Sequence, residues 1–226
     1  MSTFRYTRPD QMPPIVKNLI IINVIVWIAQ TTLDAQFQLT DKLMLYPLYH
    51  PSFSPYQIAT YMFAHSPGTI THILFNMLGL WMFGRTLENV WGPKRFLFFY
   101  LASGVGAAIC HMIVQYFRYR HAETLFYSGN QQEALDIMAT LGPMLGASGA
   151  IMGILAAFAF LFPNSEIYIP IPVKAKWAVI IFAAMDLFSG LTMPGDNIAH
   201  FTHLGGALTG FIIVLIWNKT DRNRFY

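Results

Sequence analysis

Apolar residues fall along this chain in long blocks rather than in strict alternation or in one amphipathic stripe. Six blocks approach the roughly 20 residues that a helix needs to cross a bilayer: Ile15–Leu33, Thr69–Leu87, Phe96–Phe117, Leu141–Phe162, Trp177–Met193 and Ile198–Trp217. The pattern predicts an all-α polytopic membrane protein, a bundle of six transmembrane helices forming one membrane domain over residues 1–226. The first block reads as a retained span, because Asn23 and Trp27 interrupt it and no small-residue cleavage site follows. Between the first two blocks, Asp34–Gly68 carries Pro47, Pro51, Pro55 and Pro67 among Tyr46, Tyr49, Phe53, Tyr56, Tyr61 and Phe63. Proline prevents a continuous helix there, and the aromatic density predicts a segment at the membrane interface. Arg118–Thr140 is more polar, with a short helix expected around Gln131–Met138. No internal repeat or second soluble domain is visible.

Composition narrows the class. Of the 226 residues 55% are hydrophobic and only 11% charged, under half the roughly 25% charged residues of a soluble domain. That excludes intrinsic disorder, a coiled coil and a nucleic-acid-binding domain. A single cysteine, Cys110, excludes a disulfide framework and a cysteine-based zinc site. The cations set the orientation. Arg5, Arg8 and Lys17 lie before or at the very start of span 1, and Arg85, Lys94 and Arg95 surround the span 2–3 turn. Lys174 and Lys176 lie between spans 4 and 5, and Lys219, Arg222 and Arg224 follow span 6. All of these fall on one side, and only Lys42, Arg118 and Arg120 on the other, so the positive-inside rule places both termini in the cytoplasm. The lack of a targeting peptide or extra domain predicts a prokaryotic plasma (inner) membrane, with the site opening to the extracytoplasmic side.

Polar residues inside spans are costly, about 2.5–3.5 kcal/mol for a central charge on insertion scales, and here they fall in three clusters. Span 2 opens with His72 and Asn76, whose i, i+4 spacing puts them on one helical face. Span 4 carries Gly146, Ser148, Gly149 and Gly153, and span 6 carries His200, His203, Gly206 and Gly210. Spans 2, 4 and 6 run in the same direction, so the three clusters converge on one layer. Gly149 with Gly153, and Gly206 with Gly210, are small-xxx-small pairs that let helix backbones approach closely. His203, Gly206 and Gly210 lie within about 60° of one another around the helix. The packed seam thus brings a hydroxyl to an imidazole, the usual way of activating a serine nucleophile. His72, Asn76 and the Ser148 backbone N–H are then available as donors to an oxyanion.

At these residues the sequence resembles the rhomboid family of intramembrane serine proteases. His72 and Asn76 match its HxxxN, Gly146, Ser148 and Gly149 its GxSG, and His203, Gly206 and Gly210 its HxxGxxxG, in order and in the appropriate spans. The resemblance implies peptide-bond hydrolysis within transmembrane segments of other proteins by a Ser148–His203 dyad, with His72 and Asn76 stabilising the oxyanion. It implies no metal or organic cofactor, with transmembrane protein substrates and the lipid bilayer as partners and no nucleic acid. Lateral substrate entry past span 5 is the family-derived route, with Trp177, Phe182 and Phe188 as packing residues. Met152 stands where many relatives carry an aromatic residue, the first outer loop has no Trp-Arg pair, and Thr202 replaces a common alanine.

Other polar residues have plainer readings. His200 is expected to face water or support the site, His65 to bond loop backbone, His111 to be a bonded buried histidine, and Asp186 to make a helix–helix or gating contact rather than to complete a triad with His203. Asp196 is the other carboxylate available for such a triad. A channel or transporter is disfavoured, because the inner halves of spans 4 and 6 are apolar. A zinc protease would need a His-Glu-x-x-His helix that is missing. The alternative within the family is an inactive protein that binds membrane clients.

Overall fold

The computed structural model describes residues 12–169, 171–192 and 197–220. Arg5, Arg8, Met193, Asp196, Arg222 and Arg224 lie outside the described residues. Helix α1 (Pro14–Phe37) starts on a proline, whose fixed φ suits a first turn, and stops at Gln38, which turns left-handed at φ 52°. Helix α2 runs as Ile70–Gly79, a π-type segment Leu80–Gly84, and Arg85–Trp91 without a break. Gly92, at φ 79°, makes the turn into α3 (Pro93–Tyr127). A short helix α4 (Gln131–Ala139) follows, then α5 (Ser148–Leu161), a hairpin, α6 (Ala175–Thr192) and α7 (Asn197–Thr220).

The helices are apolar outward and partly polar inward, the reverse of a soluble protein. Ile21, Ile25 and Ile28 of α1, Ile109 and Ile113 of α3, Ile181, Met185 and Leu191 of α6, and Leu208 and Ile212 of α7 are all exposed. Asn23, Gln30, Ser103, His111, Gln115 and Thr202 are buried. An apolar belt of this extent is stable only against lipid. Helices α1, α3, α6 and the described part of α7 (His200–Thr220) are each long and apolar enough to cross a membrane, and α5 is a shorter apolar helix. At the centre α3, α5 and α7 meet through small residues, with Ala107, Ala108, Ala150 and Ala157 fully buried.

One end of the bundle gathers the basic segments. The Ile15 and Val16 N–H groups, which have no acceptor within α1, donate to the Glu88 carboxylate of α2 at 2.9 and 2.7 Å. Arg95 stands 5.8 Å from the Trp217 ring, and Trp91 meets the same ring edge-on. Glu88 is buried, so its loss leaves one buried and one half-buried donor unpaired. Glu88→Ala is expected to cost about 2–4 kcal/mol and Glu88→Gln roughly half of that, read as the thermal midpoint in detergent. Equal midpoints for both variants and wild type would show the contact to be dispensable.

Several boundaries differ from the hydropathy pattern. Helix α3 continues to Tyr127, about 52 Å for its 35 residues against roughly 30 Å of hydrocarbon, so its last turns leave the membrane. The segment Leu141–Ala147 is not helical. Gly142-Pro143 and Gly146, at φ 122°, break it, and Leu45 and Met144 pair across it in an antiparallel bridge. Much of the first loop packs into the bundle rather than along its surface: Leu45, Tyr61, Met62 and His65 are buried, and Tyr61 OH donates to Gly104 O at 2.6 Å. A two-stranded antiparallel hairpin, β1 (Glu166–Ile169) and β2 (Ile171–Lys174), joins α5 to α6 and buries Ile167 against Leu155 and Ala178. Of the residues expected to pack span 5 against the bundle, Phe182 does so, whereas Trp177 (54% exposed) and Phe188 (65%) face outward.

Candidate active site

The site begins with the break before α5. Gly146 takes a backbone conformation that L side chains rarely adopt, and its N–H donates to Tyr61 O at 2.9 Å. A Cβ at Gly146 would stand 2.9 Å from His72 Nε2. Gly146 is therefore not a helix-packing glycine. It turns the chain into α5 and leaves room for the His72 ring. Ser148 follows as the first residue of a 14-residue helix, about 21 Å long, too short for the roughly 30 Å hydrocarbon layer. Its first N–H groups have no acceptor within the helix and stand beside the serine.

Against α5 lies α7, with backbone on backbone. A Cβ at Gly206 would meet Gly149 O at 1.9 Å, and one at Gly210 would meet Gly153 Cα at 2.6 Å. On the other flank α3 closes in, since a Cβ at Gly149 would meet Ala107 Cβ at 2.5 Å and one at Gly153 would meet Ser103 Oγ at 2.5 Å. This seam sets the distance between the two polar groups above it: His203 Nε2 stands 2.9 Å from Ser148 Oγ. Of the two histidines of α7, it is His203 that reaches the serine. His200 Nδ1 instead meets Asp186 Oδ1 of α6 at 2.7 Å.

His72 and Asn76 sit together on α2, the Asn76 amide donating to His72 O at 2.8 Å. His72 Nε2 and Ser148 Oγ both lie within 4 Å of the Cβ position of Gly146, whereas Asn76 makes its bond within its own helix. His65 is fully buried, edge-on to His72 with ring centroids 5.2 Å apart, and its backbone N–H donates to Gln30 Oε1 at 2.9 Å. Burial first, and the neighbouring His72 second, push the His65 imidazole down to about 4, so it is neutral at pH 7. A cavity of about 40 Å³ beside the pair is lined by Tyr61, Gly146, Ser148, Thr202 and His203 among others, room for a water molecule. Met152 packs against the buried cluster that contains Leu155, Ala159 and Ala178.

Behind the site, α3 holds the backbone of α7. Cys110 Sγ donates to Phe201 O at 3.1 Å, Thr202 Oγ1 lies 3.4 Å from His111 Nδ1, and Gln115 Nε2 donates to Gly142 O at 2.5 Å. The partners of His111 were not legible in the sequence. Nor was the position of Asp186: its second oxygen, Oδ2, lies 3.4 Å from His203 Nδ1. The intramembrane acid itself was the available signal, because a carboxylate in a span needs a partner.

A family model described as "Rhomboid domain" matches residues 52–219. The chain is 29% identical over 213 residues to RHOMBOID-like protein 12, mitochondrial, of Arabidopsis thaliana, covering 93% of this chain and 60% of that protein. It is 28% identical over 173 residues to Rhomboid protein 1, mitochondrial, of Saccharomyces cerevisiae (75% and 44%). With Rhomboid protease AarA of Providencia stuartii it shares 33% identity over 164 residues (69% and 53%). The chain thus spans between 44% and 60% of the length of these relatives. The names of the plant and yeast proteins overturn the expectation of a prokaryotic plasma membrane with an extracytoplasmic site. That expectation rested on the lack of a targeting segment, and a chain that matches only part of its relatives carries no such information.

Proposed function

The chain belongs to the rhomboid family, and from that premise we propose that it is an intramembrane serine endopeptidase acting on transmembrane segments of other proteins. The observation that carries this reading is the 2.9 Å approach of His203 Nε2 to Ser148 Oγ. The name of the Providencia protein, a rhomboid protease, supports it. In the proposed mechanism Ser148 Oγ–H donates to His203 Nε2, and Oγ attacks the scissile carbonyl as the proton passes to the ring. The oxyanion forms beside the free N–H groups at the start of α5, where the helix dipole also favours negative charge. His72 and Asn76 supply further donors. His203 then protonates the leaving amine, and a water in the adjoining cavity attacks the acyl-enzyme with His203 again as base.

The same reading takes the chain as one membrane domain over residues 1–226, crossing the bilayer six times with both termini on its basic side. The gathering of Lys17, Arg85, Arg95 and Lys219 near one end supports this orientation, as does the outward-facing apolar belt. The inactive, client-binding alternative is decided by cleavage of a single-span reporter in liposomes, wild type against Ser148→Ala. The alternative stands if intact wild type cleaves none of several reporters and does not react at Ser148 with a fluorophosphonate.

The oxyanion roles predict a graded loss. His72→Ala, next to Ser148, is expected to lower kcat about 10²-fold and Asn76→Ala about 10-fold, both with little change in KM. Steady-state kinetics on the reporter check this, and wild-type kcat in both variants would remove these residues from the mechanism.

A further inference from the structure

We propose that Asp186 is a positioning residue for His203, so that this protein orients its catalytic base with a carboxylate carried on α6. The inference rests on the serine-protease reading and goes beyond its Ser–His dyad. Asp186 lies within a helix whose only other charged residue is Lys176 in the first turn, and a carboxylate at that depth needs a compensating contact. Its side chain is 14% exposed, and each oxygen meets a histidine of α7: Oδ1 stands 2.7 Å from His200 Nδ1, and Oδ2 3.4 Å from His203 Nδ1. Gly190, four residues on and on the same face, lets α6 come down onto this stretch of α7, since a Cβ there would stand 3.2 Å from the Phe201 ring and 3.4 Å from His200 Cβ.

The nitrogens decide what this contact does. Ser148 meets Nε2 of His203 and Asp186 meets Nδ1 of the same ring, so the three groups form a series across the imidazole. An ionised carboxylate only accepts hydrogen bonds. It therefore selects the tautomer with the proton on Nδ1 and leaves the Nε2 lone pair facing the serine. When Nε2 takes the serine proton, the ring becomes a cation in a low-dielectric setting, and the adjacent carboxylate stabilises it. His200 occupies the other oxygen and fixes how the carboxylate is turned. The groups facing His203 from the packed helices are Ser148 of α5, Asp186 of α6, His72 of α2, and His200 of its own helix.

The test compares Asp186→Asn and Asp186→Ala with wild type in liposomes. It reads kcat and KM on the reporter, the rate of Ser148 phosphonylation by a fluorophosphonate, and the thermal midpoint. An asparagine NH₂ turned toward Nδ1 holds the proton on Nε2, the wrong nitrogen, while alanine leaves the tautomer free. Asp186→Asn is therefore expected to lose about 10²-fold in kcat and Asp186→Ala about 10-fold, with KM within about twofold and phosphonylation slowed in parallel. Wild-type kcat and phosphonylation in both folded variants overturn the proposal. So does a loss that appears only in KM and thermal midpoint, the mark of a helix–helix contact. The carboxylate and the two histidines also lie within 4.8 Å of one another, so wild type is assayed with 1,10-phenanthroline. Unchanged activity is expected, and a loss restored by Zn²⁺ would assign the cluster to a metal ion and overturn the proposal. If Ser148→Ala abolishes cleavage while Asp186→Asn does not reduce it, only this inference fails. If wild type neither cleaves nor labels at Ser148, the serine-protease reading fails with it.

Discussion

Ser148→Ala and His203→Ala are each expected to lower cleavage of a single-span reporter by at least about 10³-fold, with the double variant no worse than either single one. The size follows from how the pair works. A serine hydroxyl is a weak nucleophile until a base takes its proton, and every later proton transfer by His203 serves the acyl-enzyme formed on Ser148, so removing either group stops the same sequence of steps. Residual activity then comes from the oxyanion donors and the cavity, which both variants retain. Neither side chain supports the fold to a comparable degree: Ser148 sits at a helix start and His203 is 28% exposed, so thermal midpoints should stay within a few degrees of wild type. His200→Ala serves as the comparison on the same helix, because His200 contacts Asp186 rather than the serine. Its loss of kcat should be far smaller. Full activity in His203→Ala together with inactivity in His200→Ala would place the base one helical turn away and sink the assignment.

What the sequence conveyed depends on the kind of information each feature carries. Ser148 and His203 were legible because each sits beside glycines at helical spacing, and such glycines mark where two backbones touch. The break before Ser148 was hidden, because Leu141–Ala147 contains no charged or strongly polar residue and joins the apolar helix it precedes, and hydropathy does not distinguish an extended segment from a helical one. Gly142-Pro143 and Gly146 were the local evidence for it. The end of α3 was missed for the opposite reason: Arg118, Arg120 and Glu123 end the apolar run, but the helix continues into solvent. The hairpin 166–174 reads as a loop because two prolines interrupt its alternation. The contact between Asp186 and His203 depends on how α6 is rotated against α7, which the sequence of either helix alone does not specify. The same rotation turns Trp177 and Phe188 outward.

Gly206→Ala is expected to lower the thermal midpoint by about 10 °C or more and kcat by about 10²-fold, the largest effect expected of a methyl added at any of the described glycines. A Cβ there would lie 1.9 Å from Gly149 O and 2.7 Å from Gly149 C. Both are backbone atoms of a helix, so no side-chain rotation relieves the overlap, and α7 has to move away from α5 by more than 1 Å to reach an ordinary contact of roughly 3.4 Å or more. Gly149 adjoins Ser148, and Gly206 lies one turn from His203, so that displacement opens the 2.9 Å contact between serine and base. A shift of about 1 Å in a reacting group costs on the order of 10² in rate. The loss should therefore appear in kcat, and in the rate of Ser148 phosphonylation, rather than in KM. Gly68→Ala is the matched control: no atom lies within 4 Å of its Cβ position, and it should behave as wild type. Valine at position 206, with two more methyls against the same backbone, should prevent folding altogether. If Gly206→Ala kept both the wild-type midpoint and the wild-type kcat, α5 and α7 would not meet at this glycine, and the spacing of Ser148 and His203 would need another cause.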